Sequence, residues 1–108
     1  EENMRGNINS LMAQAAKMQQ NLQRLQSELA NVEVTGEAGS GAVKVTMTCK
    51  YVCKQIQIDP SLYDEDRDMI EDLVTAAVNA ALKEVERTTQ ERMKVATAGM
   101  PLPPGMRF

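Results

Sequence analysis

The sequence predicts an α+β fold with the order α-β-β-β-α, in which a three-stranded antiparallel meander lies between two long helices. Three observations predict it. Apolar residues follow a heptad repeat in the N-terminal third, three short segments of alternating polarity follow, and an Ala-, Val- and Leu-rich segment then runs to a Pro-rich end. The connections between strands are too short for parallel crossovers, so the meander is antiparallel.

The first helix is predicted from apolar residues spaced alternately three and four apart. They occupy heptad positions a and d and comprise Ile8, Leu11, Ala15, Met18, Leu22, Leu25, Leu29 and Val32. Asn7 or Asn9 is the predicted N-cap, and the helix is expected to end near Ala30. The remainder of the chain is too short to cover this seam, so part of it is expected to meet another helix, of this chain or of a second copy.

The strands are predicted at residues 32–35, 43–48 and 52–58. The glycine-rich segment 36–41 between the first two is predicted to be a turn, because glycine tolerates positive φ. In the third strand one face carries Val52, Lys54, Ile56 and Ile58, and the other carries Cys53, Gln55 and Gln57.

The second helix is predicted at residues 65–98, with acidic residues 64–66 at its N-terminus, where the helix dipole favours negative charge. Asp59-Pro60-Ser61 opens a helical turn before it. Gly99 and the Pro-rich segment 101–105 end the helix. Residues 1–98 are therefore predicted to be a single domain, and residues 99–108 an extended tail.

Charge is unevenly distributed along the 108-residue chain, whose net charge is −3. Residues 59–72 hold seven carboxylates against one arginine, so the remainder carries +3. An acidic block joined to a mildly basic body predicts weak, salt-sensitive phosphate binding at most. A thin core built from Leu, Val, Ile, Ala and eight Met favours oligomerisation.

Several patterns argue against an enzyme, a metal site or a cofactor. The chain has no His, the commonest general base and metal ligand. The acidic block lacks apolar residues that would raise a pKa, and the glycine-rich segment precedes a strand rather than the helix of a P-loop. Cys49 and Cys53 suit a disulfide or a zinc site shared between subunits, but two reduced thiols in a cytoplasm are simpler.

Six segments carry a resemblance to a known family. They are Asn7–Met18, Val34-Thr-Gly-Glu-Ala-Gly-Ser-Gly41, Val43-Lys-Val-Thr46, Ile58-Asp-Pro-Ser-Leu62, Asp72-Leu-Val-Thr-Ala-Ala77 with Asn79, and Gly99-Met-Pro-Leu-Pro-Pro-Gly105. In order and spacing they resemble the YbaB/EbfC family of bacterial nucleoid-associated proteins. Where family members often have an Asn-Gly-like turn between the second and third strands, this sequence has Thr48-Cys49.

The resemblance implies an intertwined, tweezer-like homodimer that binds duplex DNA at the nucleoid in the cytoplasm, without enzymatic activity. The sequence itself has no transmembrane run and no residues suited to line a substrate pocket, so neither a membrane nor a small-molecule substrate is expected as a partner. Backbone phosphates would be the main contacts, so sequence specificity would be low. The alternative is a chaperone-like clamp that grips a protein client with its helical arms, because methionine-rich helices suit adaptable apolar contacts.

The candidate DNA-binding residues are cations on the two helices: Lys17, Arg24, Lys83, Arg87, Arg92 and Lys94. Lys17 and Arg24 share one helix face, about 10.5 Å apart along the axis. Arg87 is also four residues from Glu91, which favours an intrahelical ion pair instead. The residues predicted to pack within or between subunits are Leu11, Met18, Leu22, Leu25, Leu73, Ala77 and Ala81.

Overall fold

The computed structural model describes residues 2–98, with side chains from Gly6 onward, and confirms the α-β-β-β-α order. The elements are α1 (Glu2–Leu29), β1 (Glu33–Ala38), β2 (Val43–Thr48), β3 (Cys53–Ile58), a 3-10 helix (Pro60–Asp64) and α2 (Arg67–Ala96). The strands form one antiparallel sheet in the order β1-β2-β3. None of the described helices combines the length and apolar character that a membrane crossing requires. The predicted tail, residues 99–108, lies outside the described residues.

The chain divides into two compact units. One contains α1 as far as Glu28 together with α2 from Gln90 onward, and the other is Leu29–Thr89, which holds the sheet. In the first unit, Met18 and Leu25 are buried, whereas Ile8 and Leu11 are 51% and 64% exposed. Within that unit, the heptad seam of α1 is therefore buried only in its second half.

The predicted start of α1 is wrong. The helix already includes Glu2, so neither Asn7 nor Asn9 is its N-cap. Gly6 lies inside the helix, where an added Cβ would meet no atom within 4 Å. An interior glycine destabilises a helix by about 1 kcal/mol relative to alanine, and a helix of 28 residues accommodates that loss.

Strand β1 is longer than predicted because Gly36 belongs to the strand rather than to the turn. A Cβ at Gly36 would lie 2.7 Å from Ala81 Cα, and closer still to the Ala81 nitrogen and the Ala77 oxygen. The missing side chain therefore lets the backbone of α2 pack directly on β1. The turn itself begins at Gly39, whose φ of 63° fits the prediction of positive φ in this segment.

The predicted alternation of β3 is interrupted by a β-bulge. Gln55 lies opposite Thr46, but Cys53 lies opposite Met47, so Lys54 is an extra residue in β3. The bulge takes Lys54 out of the regular alternation that would have placed it with Ile56 and Ile58. Every residue of β3 except Ile58 is exposed.

The connection to α2 differs from the prediction in one respect. The helical turn predicted at Asp59-Pro60-Ser61 is present as the 3-10 helix, and Asp59 is its N-cap, accepting a hydrogen bond of 2.9 Å from the Ser61 backbone N–H at Oδ1. Hydrogen bonds from Ser61 lower the pKa of the Asp59 carboxyl. Glu65, however, is extended and α2 begins at Arg67, so residues 64–66 precede the first turn, whose acidic residue is Asp68.

Candidate nucleic-acid interface

Two of the six predicted DNA-binding residues line one groove, which we call the arginine groove. It has a volume of about 510 Å³ and lies within the unit formed by the first 28 residues and α2 from Gln90 onward. Its lining residues are Asn21, Arg24, Leu25, Glu28, Arg92, Val95 and Ala96. On each helix these residues are spaced three and four apart, so each helix contributes a single face.

Arg24 is held on the α1 side of the arginine groove by a local hydrogen bond. Its Nη2 donates to Asn21 Oδ1 over 2.8 Å, and both side chains remain accessible to solvent. Leu25 is buried next to them, while Val95 on α2 is 77% exposed. The groove thus combines a buried apolar residue with an accessible guanidinium group whose orientation is restricted.

The ionic groups of the arginine groove favour a phosphate over a neutral ligand. A planar guanidinium offers paired N–H donors to phosphate oxygens, and Arg24 and Arg92 supply two such groups. Glu28 supplies one carboxylate to the same lining, which repels a polyanion. The groove is therefore suited to a weak, salt-dependent phosphate contact.

The other four predicted cations are exposed and do not line this groove. Lys17 and Lys94 belong to the same unit as the groove, and Lys83 and Arg87 belong to the unit that contains the sheet. Among the residues that the structure describes, Lys17, Lys83 and Lys94 form no ion pair. Their ammonium groups are accessible to a ligand.

Arg87 already has an intrahelical partner. Its Nη2 and Nε donate to Glu84 Oε2 over 2.7 Å and 3.1 Å. The hydrogen bond from Arg87 holds the pKa of Glu84 below its usual value. A phosphate must compete with this carboxylate, so Arg87 is a weaker candidate for DNA binding than Arg24.

The predicted packing residues fall into three classes of exposure. Met18, Leu25, Ala77 and Ala81 are buried, Leu22 and Leu73 are half-buried, and Leu11 is 64% exposed. The methyl groups of Leu73 would lie 3.2–3.4 Å from a Cβ at Gly39, so this leucine packs on the β1–β2 turn.

Sequence reasoning missed four groove residues: Val95 and Ala96 on α2, and two on α1, Asn21 and Glu28. The signal for Asn21 and Glu28 was their position on α1, three residues before and four residues after Arg24, which places all three on one face. The contribution of α2 gave no such signal, because spacing within one helix does not indicate which residues of another helix lie opposite.

The described residues contain no group of three or more His, Cys, Asp or Glu side chains that could hold a metal ion. Both cysteines are free thiols: Cys49 is buried, as expected of a packing residue, but Cys53 is exposed.

Comparison with known proteins identifies the family. The model of the YbaB/EbfC DNA-binding family matches residues 4–100. The crystal structure of an uncharacterized protein, HP0035, from Helicobacter pylori is similar, with a TM-score of 0.63 and 25% sequence identity over 75% of this chain and 86% of that one. The family match extends over both compact units and includes the arginine groove. The chain therefore belongs to the YbaB/EbfC DNA-binding family.

Proposed function

We propose that this protein is a homodimer that associates with the bacterial nucleoid in the cytoplasm and binds duplex DNA mainly through backbone phosphates. Sequence preference is low, because phosphate contacts position a protein without reading bases. The observation that carries this proposal is the presence of Arg24 and Arg92, from two helices, in one accessible groove.

The modest number of available cations supports weak binding. The protein carries a net charge of −3, and Arg87 is engaged by Glu84. The logarithm of the binding constant falls with the logarithm of the salt concentration, and each phosphate contact makes this slope steeper by about 0.9. A protein with few such contacts binds measurably at low salt and loses DNA within the physiological range.

The exposed first half of α1 supports the homodimer. Ile8 and Leu11 are each more than half exposed, although they belong to the apolar repeat whose later members Met18 and Leu25 are buried, and the adjacent Met12 is 66% exposed. Apolar side chains at helical spacing favour contact with another apolar surface. A second copy of the chain supplies the same surface, as symmetric dimers require.

A charge-reversal variant tests the phosphate contacts. Arg24→Glu with Arg92→Glu is expected to weaken binding to unrelated duplexes by similar factors, on the order of tenfold or more at low salt, and to flatten the salt slope. The measurement is fluorescence anisotropy across a salt titration, with the mass of the protein determined by light scattering.

The matched control is the double variant Arg67→Glu with Lys44→Glu, which changes the net charge by the same amount at exposed residues outside the groove. This control is expected to bind duplex DNA more tightly than the groove variant. Equal losses in the two variants would show that only net charge matters and would remove the groove from the proposal.

The exposed apolar residues of α1 also fit the second candidate function, a clamp for a protein client. Met12 is 66% exposed, and methionine adapts to varied apolar partners. The salt titration separates the two functions, because a clamp that does not bind DNA gives no anisotropy change at any salt concentration.

A further inference from the structure

The tip of the β2–β3 hairpin presents an aromatic ring on an unusual backbone. We use "hairpin tip" for residues 48–54. Tyr51, near its centre, has a φ of 64° and is 61% exposed. Positive φ is uncommon for residues other than glycine, and for a bulky side chain it marks a strained position. The residue favoured by the backbone here is glycine, yet the chain places one of its two tyrosines at this position.

The strained backbone of the hairpin tip is held by Thr48, which is only 2% exposed. Its Oγ1 accepts hydrogen bonds of 3.2 Å from the backbone N–H groups of Lys50 and Val52. The Tyr51 N–H donates to the Thr48 carbonyl over 3.0 Å, and the Thr48 N–H donates to the Val52 carbonyl over 2.8 Å. The ring of Tyr51 is thus carried by a rigid turn.

Two exposed lysines lie on either side of Tyr51 in the hairpin tip. Lys50 precedes Tyr51 directly, and Lys54 is the extra residue of the β-bulge. Among the described residues neither lysine forms an ion pair. Glu33 lies opposite Thr48 in the sheet register and adds one carboxylate nearby. The two lysines and this glutamate together carry a net charge of +1.

The second tyrosine provides an internal contrast. Tyr63 is 72% exposed, but it is followed by Asp64, Glu65 and Asp66. Exposure alone therefore does not distinguish the two rings, whereas the charge around them does. Of the two tyrosines, only Tyr51 combines an accessible ring with nearby cations that attract a polyanion.

We propose that the hairpin tip is a stacking site for an unpaired base in DNA, with Tyr51 against the face of the base and Lys50 and Lys54 on the adjoining phosphates. Aromatic side chains stack on any base whose face is accessible, without reading its edge. In an intact duplex both faces are covered by neighbouring base pairs, and uncovering one costs free energy. A nucleotide that is already unpaired avoids most of that cost. This inference rests on the proposed DNA binding and adds a preference for duplexes with unpaired nucleotides.

The experiment compares two duplexes that differ only in a single unpaired adenine in one strand. The wild-type protein is expected to bind the bulged duplex about tenfold more tightly, within the range found for one base stacked on an aromatic ring. Because the chain contains no tryptophan, tyrosine emission is directly measurable, and binding of the bulged duplex is expected to quench it.

Four variants assign this preference to the ring. Tyr51→Ala and Tyr51→Gly are expected to abolish the preference while leaving the affinity for the paired duplex unchanged, and Tyr51→Phe is expected to retain it. Tyr63→Ala is the matched control and is expected to retain both the preference and the quenching. The glycine variant also removes the strained φ, so a loss of preference there does not reflect a damaged fold.

Three results would overturn the inference. Equal affinity of the wild type for both duplexes would refute the stacking site and leave the proposed function standing. A shift of Tyr51→Ala to half the mass in solution would show that the hairpin tip is a subunit contact instead. Absence of binding to either duplex at low salt would refute both the proposed function and this inference.

Discussion

The two halves of the sheet differ sharply in how well they are covered. Gly36, Val45 and Ile56 lie opposite one another across β1, β2 and β3, and therefore on one face of the sheet. Val45 is completely buried, and Gly36 lies against the backbone of α2 at Ala77 and Ala81. Ile56, next in the same row, is 45% exposed.

The chain therefore covers the β1–β2 half of the sheet with its own residues and leaves the β3 half exposed. Small residues on both partners bring α2 into backbone contact with β1. In the neighbouring strand β2, Val43, Val45 and Met47 are buried. Strand β3 has an apolar row and a free edge, and both are features that natural proteins usually cover. We infer that the covered half contributes most of the stability of this unit, and that the uncovered half is available to a second copy.

The largest expected effect is in the covered half, at Gly36. Gly36→Ala places a methyl group 2.7 Å from Ala81 Cα, where only movement of the backbone of α2 or β1 can relieve the clash. We expect the free energy of unfolding to fall by about 3 kcal/mol, measured by chemical denaturation at fixed protein concentration.

Gly6→Ala is the matched control, because it introduces the same methyl group where no atom lies within 4 Å. It is expected to leave stability unchanged or to raise it by up to about 1 kcal/mol through helix propensity. Similar destabilisation by both variants would contradict the close packing of α2 on β1.

A smaller effect is expected in the uncovered half, at Ile56. If a second copy covers this residue, Ile56→Asp buries a charge on association and weakens the dimer by about 2 kcal/mol or more. The fold within each subunit is expected to survive, because the residue is 45% exposed there. Sedimentation measures the loss of dimer, and circular dichroism measures the retained secondary structure.

Gln57→Asp adds the same charge at the next residue of β3, opposite Lys44 and on the other face of the sheet. This variant is expected to keep the mass of the wild type. A normal mass for Ile56→Asp as well would show that the exposed row of β3 is not part of the dimer contact.

The smallest expected effect is a gain in stability at the end of the uncovered half. Tyr51→Gly removes the side chain from a backbone with a φ of 64°, a conformation that costs an L-residue about 1–2 kcal/mol. Since glycine also loses more chain entropy on folding, we expect a net gain of about 1 kcal/mol, measured by thermal denaturation. Tyr63→Gly, in the 3-10 helix, is expected to give no gain, and equal gains in both variants would exclude strain as the cause.

The main elements of the fold were predictable because each has a strong local signal. The heptad repeat, the alternation of β2 and the helical turn at Pro60 all depend on residues close together in the chain. Gly36 was assigned to the turn because glycine generally favours turns. In the structure this position needs glycine for another reason, since a side chain here would clash with α2 some forty residues further along the chain. A second signal was present in α2, where Ala77 and Ala81 are four residues apart and so place two small side chains on the face that contacts Gly36.

The candidate site was predictable only in part. Composition and helical spacing identified Arg24 and Arg92 individually, but their placement in one groove depends on how α1 meets α2, which periodicity within each helix does not determine. The bulge at Lys54 was equally hidden, because an extra residue in a strand changes which residues lie opposite one another without changing the local sequence pattern. The helical spacing indicated an intrahelical ion pair between Arg87 and Glu91. The structure shows an intrahelical ion pair of Arg87 with Glu84.

The unequal burial of the two thiols makes the unaltered chain suitable for site-specific spectroscopy. Cys49 is 4% exposed and Cys53 is exposed, so a maleimide or nitroxide reagent reacts first at Cys53. That position lies beside the bulge of β3, two residues from Tyr51. In the proposed homodimer a nitroxide at Cys53 labels the hairpin tip of each subunit, and the dipolar coupling between the two labels gives the distance between the two hairpin tips with and without DNA.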